Sequence, residues 1–393
     1  MRTDDKGGRV LVSAHTYQPE GVSEGWTAAQ LVTALRSRGR RMTVVTAALP
    51  KMKRQYGVLG IRCTSKSDTS FISVVNYSEF ALRSLLLGRP MRDQFSVVHH
   101  VSPMIVRLPS ILGALGRPFI WGPVGGSIPY PPGFEQYARL SSITNAMRSL
   151  DRPRLRWDPT MIFTMRSADR IVVTTSMAAE SIPERYRCKV MVIPEGIPES
   201  LLVAEPPGEE PYIFSSGRLI DYKAMDLLIR AFARVRRGAV QLIITGDGPN
   251  KTGLLALISK LGLQACVQMR GRVPRDENQR LMSRSLFCVF PAIREAFGHV
   301  NLEAMAAWKP VVVSDWGGPR DLIDNEVTGL KVLGSNPDDH VELLAVAMQR
   351  LLDDREMRRR MGAAAFLRVS KTFTWRELAV RYDSLYDELS DTP

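Results

Sequence analysis

Two series of short β-branched runs, each interleaved with amphipathic segments, constrain this 393-residue chain more than any other feature. In the first half Val10-Leu-Val-Ser-Ala14, Met42-Thr-Val-Val-Thr46, Phe71 to Val75, Ser96 to His99, Pro118 to Trp121 and Arg170 to Thr174 read as strands. Thr27 to Arg38 reads as a helix, with Ala28, Leu31, Val32 and Leu35 on one face. The second half repeats the pattern with Tyr212 to Ser216, Val240 to Thr245, Cys266 to Met269, Leu286 to Phe290 and Pro310 to Ser314. A helix from Asp226 to Val235 carries Leu227, Leu228, Ala231, Phe232 and Val235 on its apolar side. Strands alternating with helices argue for parallel sheets covered on both faces. The chain is too long for one ordinary core, and the proline-rich stretch Ile197 to Pro211 reads as a linker. The expected fold class is therefore α/β, with two doubly wound, Rossmann-like domains at 1–198 and 199–370 and a C-terminal amphipathic helix within 371–393. Ligands of such sheets bind beyond the carboxyl ends of the strands.

Composition narrows the function classes. Hydrophobic residues make up 45% and charged residues 24%, values of a soluble globular protein. No apolar stretch reaches the roughly 18 residues of a spanning helix. The N-terminus has no apolar core, so no signal peptide is expected. Cys63, Cys188, Cys266 and Cys288 show no metal-ligand spacing, which fits a reducing, cytoplasmic compartment. The net charge of +13 lies wholly in the first half: residues 1–198 hold 27 Lys and Arg against 14 Asp and Glu, and residues 199–393 hold 26 of each. A basic half points to an anionic partner, such as a phosphorylated acceptor or the inner face of a membrane. The segment Glu135 to Pro159 intersperses arginines with Tyr137, Leu140, Ile143, Met147, Leu150 and Trp157. It suits either a membrane surface or packing on the sheet, and packing is the expectation.

The richest window is Glu295-Ala-Phe-Gly-His-Val-Asn-Leu-Glu303, directly after an apolar strand. A loop carries Arg294 and Glu295, and Gly298 and His299 lead into a helix, Val300 to Trp308, that carries Glu303. A helix N-terminus between two carboxylates suits a phosphate flanked by hydroxyl-bearing groups, the chemistry of a nucleotide sugar. Ser216-Gly-Arg-Leu-Ile-Asp-Tyr-Lys223 also follows a strand, and its Arg218 and Lys223 can neutralise a diphosphate leaving group. Thr245-Gly-Asp-Gly-Pro249 and Gly271-Arg-Val273 are glycine turns at further strand ends, where Gly246 permits close backbone approach. In the first half, Pro19 to Trp26 with Gly21 and Gly25 suits a phosphate lip, and His99 and His100 end a strand beside the loop Trp121 to Ser127. The chain has no G-x-G-x-x-G, so a dinucleotide cofactor is disfavoured, and no D-x-D, H-E-x-x-H or P-loop. With no D-x-D to hold a metal, Arg218, Lys223 and helix amides would do its work, and metal independence is expected.

Taken together these motifs resemble family four of the glycosyltransferases, the retaining GT-B enzymes. The match runs in family order through Gly217-Arg-Leu-x-x-x-Lys223, Gly246-Asp-Gly-Pro249, Gly271-Arg-Val273, the Glu295 to Glu303 window, Glu303-Ala-Met-Ala306, Pro310 to Ser314 and Gly317-Gly-Pro319. The first half resembles, more loosely, a bacterial branch that builds polysaccharides and glycosylated small molecules. Departures are Ala224 and Ala296 where glycine is usual, and Pro194-Glu-Gly-Ile-Pro198 in place of an Asn-Gly turn.

The resemblance implies two domains facing across a cleft, with the C-terminal helix crossing back to the first. It implies donor-binding roles for Gly21, Arg218, Lys223, Gly246, Glu295 and Glu303. The amides of Phe297, Gly298 and His299 would bind phosphate and sugar hydroxyls, and the backbone at Val273 the base. Glu295, Arg218, Lys223 and one of His99 or His100 would stand at the reaction centre. The activity implied is retaining, metal-independent transfer of a sugar from a nucleoside diphosphate, UDP rather than GDP, to an acceptor hydroxyl. That acceptor is a lipid-linked glycan, a polysaccharide precursor or a natural product, and no cofactor is expected. The rivals are a nucleotide-sugar epimerase on the same fold and a donor-binding protein without transfer. A nucleic-acid binder is suggested by charge alone and is not expected.

Overall fold

The computed structural model describes residues 8–18, 24–47, 57–63, 74–125, 127–138, 151–236 and 238–391. The chain divides into two units. The first comprises Met1–Ser127, Met147–Gly196 and Trp375–Pro393, the second Ile128–Ala146 and Ile197–Thr374. The segment Ile128–Ala146, expected within the first domain, thus groups with the second. Its sequence hides an anchor: Phe134 is fully buried in the second unit's core, its ring edge-on to His340 at 5.6 Å.

The first unit holds a seven-stranded sheet of β1 (Arg9–Ala14), β2 (Met42–Ala47), β3 (Val58–Ile61), β4 (Phe95–Ser102), β5 (Phe119–Val124), β6 (Arg170–Val173) and β7 (Val190–Val192). Their order is β3-β2-β1-β4-β5-β6-β7, every pair parallel. Alternation along β1 sends Val10 and Val12 to one face and Leu11 to the other. On the Val10 side lie the helices Glu24–Ser37 and Trp375–Ser390; on the Leu11 side lie Val74–Gly88 and Pro159–Ser167. Burial on both faces explains the unbroken apolar runs of the central strands.

The second unit holds a six-stranded parallel sheet of β8 (Tyr212–Ser216), β9 (Gln241–Thr245), β10 (Val267–Gly271), β11 (Cys288–Phe290), β12 (Val311–Ser314) and β13 (Gly329–Val332). Its order is β10-β9-β8-β11-β12-β13. In both sheets the order reverses once, between β1 and β4 and between β8 and β11. A reversal leaves adjacent strand ends whose loops diverge, and this is where open α/β sheets take ligands.

Residues Val74 and Val75, expected at the end of a strand, open the helix Val74–Gly88; residues 71–73 lie outside the described residues. The buried set Asn76, Tyr77, Phe80, Ala81, Ser84, Leu85 and Gly88 has helical spacing, and that periodicity outweighs two β-branched residues left exposed in the first turn. The short strands β3, β7 and β13 escaped the sequence reading. Among the described residues no helix is long and apolar enough to cross a membrane.

Candidate functional site

The reversal point of the second sheet carries most of the expected residues. After β8 the chain turns through Gly217 and Arg218 into a single 3-10 turn, Asp221–Lys223, and then into the helix Met225–Arg234. Ala224, between them, is fully buried and left-handed (φ 51°), a conformation glycine takes without strain. After β11 the loop 291–298 leads into the helix His299–Ala306. Two links tie these loops together. The Ile293 amide donates to the Tyr222 carbonyl at 3.1 Å, and the Lys223 ammonium forms an ion pair with Glu295. Both side chains of that pair are mostly shielded from solvent. Arg218 is exposed and donates through Nη2 to the Tyr222 hydroxyl at 2.8 Å.

Close backbone packing fixes this edge. A Cβ on Gly246 would lie 1.9 Å from the Gly217 carbonyl oxygen, and the Gly246 amide donates to the Gly271 carbonyl at 2.8 Å. Gly246 therefore serves backbone-on-backbone packing, where the sequence suggested approach to a ligand. A Cβ on Gly317 would lie 2.0 Å from the Glu295 carbonyl oxygen, and one on Gly318 would lie 2.0 Å from that of Phe297. The Gly318 amide donates to the Glu295 carbonyl at 2.9 Å. The glycine pair before Pro319 thus clamps the loop that presents Glu295.

The helix His299–Ala306 opens at Gly298, left-handed at φ 97°, with no side-chain cap on its first amides. Those amides and the positive end of the helix face the loop of Glu295. Asn301 donates through Nδ2 to the Gly298 carbonyl at 3.0 Å and is almost fully buried. It props the turn that exposes the amides. Phe297 is buried with its ring 5.1 Å from that of His299. Glu303 lies one turn further along the same helix. Burial pushes its carboxyl above the ordinary range, while the charges of Arg275 and His299 pull it back. It lines a cavity of about 290 Å³ with residues that include Leu202, Gln279 and Arg280. Val273 is half-buried just after β10. Arg218, Lys223, Gly246, Val273, Glu295, Phe297, Gly298 and His299 stand on loops or a helix start at the carboxyl edge of one sheet, and Glu303 stands one turn into that helix. Tyr222, Asn278 and Asn301 were not foreseen. Asn278 meets both Ser216 (3.2 Å) and Thr245 (2.6 Å) through Oδ1. The one sequence signal was an asparagine early in the helix at 301, a position where it favours caps and turns over helix.

His99 and His100 belong to the first unit. His99 is fully buried and both its nitrogens are spent, Nδ1 on the Tyr386 hydroxyl at 2.7 Å and Nε2 on the Gly122 carbonyl at 2.6 Å. Burial, against the Gly122 bond, brings its pKa to about 3, so it is a neutral core residue joining β4, β5 and the C-terminal helix. The expectation that it could contact a ligand is corrected accordingly. His100 is also buried, with a pKa near 4 from burial, but among the described residues its Nε2 has no partner. Beside the β1–β4 reversal, the Glu24 carboxylate accepts the Met104 amide at 3.1 Å. Burial pushes that carboxyl up, the Met104 amide opposes this, and the Glu195 charge adds to it. Gly21 lies outside the described residues.

Comparison with known proteins gives concordant results. Residues 199–368 match the family model described as Glycosyl transferases group 1. An uncharacterized glycosyltransferase of Methanocaldococcus jannaschii is 34% identical over 179 residues, covering 45% of each chain. A D-inositol 3-phosphate glycosyltransferase of Nocardia farcinica is 30% identical over 238 residues, 54% of this chain and 51% of the relative. The chain spans about half the length of these curated relatives. Among solved structures, the Anabaena protein HepE in complex with UDP and glucose superposes with a TM-score of 0.66 at 16% identity, covering 97% of this chain and all of that one. The likeness extends over both units and shows the same two-domain α/β fold.

Proposed function

We propose, for a chain with the GT-B fold whose residues 199–368 belong to the group 1 glycosyl transferases, that it transfers a sugar from a nucleoside diphosphate to an acceptor hydroxyl. The reaction in this reading retains anomeric configuration and needs no metal. The observation that carries it is the Lys223–Glu295 ion pair beside an uncapped helix N-terminus at the reversal point of the second sheet. A diphosphate brings two or more negative charges to that point. Lys223 and Arg218 neutralise them, and the amides of the His299–Ala306 helix donate hydrogen bonds to the remaining oxygens. As the diphosphate takes Lys223 as partner, Glu295 is released to accept hydrogen bonds from sugar hydroxyls. The Glu303 carboxyl binds the ribose hydroxyls, and the Val273 backbone meets the base.

As the glycosidic C–O bond breaks, charge accumulates on the leaving diphosphate. Preorganised cations lower that barrier most, because they stabilise the transition state more than the ground state. The acceptor oxygen bonds to the anomeric carbon on the face the diphosphate leaves, and its proton passes to a phosphate oxygen. This keeps configuration and explains why no enzyme nucleophile is needed. UDP is favoured as the nucleotide, by the likeness to HepE. The acceptor is an alcohol or glycan, anionic or lipid-linked in keeping with the basic first half. Lys223→Ala is expected to lower turnover about 100-fold or more at saturating donor, the size of losing one preorganised partner of developing charge. A loss of about tenfold or less would refute the assignment.

A further inference from the structure

We propose that the second unit holds a neutral glycan chain in a second cavity, apart from the donor site. The cavity measures about 1070 Å³, at the upper end of the size of small-molecule sites. The starts of three helices converge on it: Met225–Arg234 through Asp226 and Leu227, Lys251–Lys260 through Asn250 and Gly253, and Pro337–Asp353 through Asn336 and Asp338. Gln136 and Tyr137 add a further wall, on the segment that Phe134 anchors in the same core. None of these residues belongs to the donor site, although Asp221, which also lines the cavity, opens the 3-10 turn that presents Lys223. The inference stands on the lining and does not depend on the transfer reading.

Charge decides the class of ligand. Each helix start carries about half a positive charge, and Arg230 and Lys260 add two cations. Asp221, Asp226 and Asp338 answer them, so the lining comes within about half a charge of neutral. A nucleotide or a polyamine would meet as much repulsion as attraction there. What remains is dense hydrogen bonding. Two of the carboxylates are fixed: Asn250 donates through Nδ2 to Asp221 at 2.7 Å, and the Tyr137 hydroxyl donates to Asp226 at 2.6 Å. Among the described residues neither Arg230 nor Lys260 forms an ion pair, so both remain donors, beside the exposed amide groups of Gln136 and Asn336. Leu254, Leu257 and Pro337 line the same cavity. Sugar rings match this mixture, with hydroxyls that both donate and accept and C–H faces that take apolar contact.

The test is isothermal titration of the full chain, without donor, with neutral tetrasaccharides of glucose, galactose, mannose and N-acetylglucosamine, and with spermidine and inorganic diphosphate as charged comparators. Saturable binding of at least one tetrasaccharide is expected. Gly253→Trp fills the cavity without strain: an added Cβ meets nothing within 4 Å, and tryptophan is the better helix former. It should abolish glycan binding while the melting temperature holds or rises. Gly208→Trp, also with nothing within 4 Å of its Cβ and outside the cavity, should bind as the native chain does. Asp338→Ala with Gln136→Ala, both exposed, should weaken binding about tenfold or more, the size of two lost hydrogen bonds. Absence of binding by all of the tetrasaccharides would overturn the proposal. So would glycan binding that survives Gly253→Trp, or tighter binding of spermidine or diphosphate that Gly253→Trp removes. Because no sugar is transferred in the measurement, its failure leaves the transferase reading untouched, and the reverse holds.

Discussion

Gly317→Ala tests how the Glu295 loop is held. At Gly317 the backbone has φ 70°, and an added Cβ would sit 2.0 Å from the Glu295 carbonyl oxygen, against the 3.4 Å at which ordinary contact begins. The obstacle is backbone, so no side-chain rotation relieves it. The strand-end loop carrying Glu295 must move by about an ångström, and the neighbouring bond from the Gly318 amide to that same oxygen must lengthen. Positive-φ strain in a non-glycine residue costs about 1–3 kcal/mol, and overpacking adds about 1–3 kcal/mol. A total of about 2–6 kcal/mol lowers the second unit's melting temperature by about 4–24 °C, at 2–4 °C per kcal/mol for a domain of this size. Gly262→Ala is the control: its φ is 68° but nothing lies within 4 Å of the added Cβ, so only the strain remains, about 1 kcal/mol. Thermal denaturation of both variants separates the two contributions. Activity should separate them further, because a shift of about 1 Å in a substrate-positioning group costs about 100-fold. If Gly317→Ala melts with Gly262→Ala and turns over normally, the clamp described here does not hold the loop.

Two further perturbations probe each unit alone. His340 is buried with a pKa near 4; its Nδ1 accepts the Gly334 amide at 3.2 Å and Nε2 lies 3.1 Å from Ser314 Oγ. Its folded pKa lies below the unfolded value of about 6.5, so its neutral form contributes stability in full above pH 6.5, and that stability is lost as pH falls towards 4, by about 3 kcal/mol. His340→Gln should flatten the acid slope of the second unit's melting temperature between pH 6.5 and 4, and an unchanged slope would contradict the assignment. In the first unit Arg40, whose side chain is fully buried, binds Asp383 at 2.7 Å and Asp387 at 2.7 Å on the C-terminal helix. Arg40→Ala leaves Asp383 with only the longer contact from Arg38 and is expected to cost about 3 kcal/mol or more, seen in chemical denaturation. A cost below about 1 kcal/mol would mean that the pair does not fasten that helix.

The β-branched runs made the parallel sheets legible, because strands buried on both faces must be apolar along their length, as in Val311–Ser314. Strands at or near a sheet edge were lost for the same reason: β3 includes the exposed Gly60 and is only partly buried, and β7 has three residues and is partly exposed. The loops after β8 and β11 were readable since their glycines, Arg218, Lys223 and Glu295 are contiguous with the strands that position them. His99 was not readable. Its fate depends on Tyr386, 287 residues away, and nothing local to 99 and 100 says which ring faces a hydroxyl in the core. Phe134 is similar, since its neighbours come from a unit whose other residues begin at Ile197. Trp157 shows the opposite failure, where an amphipathic pattern suggested packing and a capped junction turned the ring out.

The proposed nucleotide site on the second unit works through Lys223, Arg218 and helix amides without metal. The most direct measurement is thermal denaturation of the metal-free protein with UDP in the presence of EDTA, beside the Lys223→Ala and Arg218→Ala double variant. At a concentration 100 times Kd the nucleotide adds about 2.7 kcal/mol, which raises the melting temperature by roughly 5–10 °C. That rise is expected in the native chain, and its loss in the double variant. No rise with UDP or GDP, or a rise that appears only when a divalent metal is restored, would contradict it.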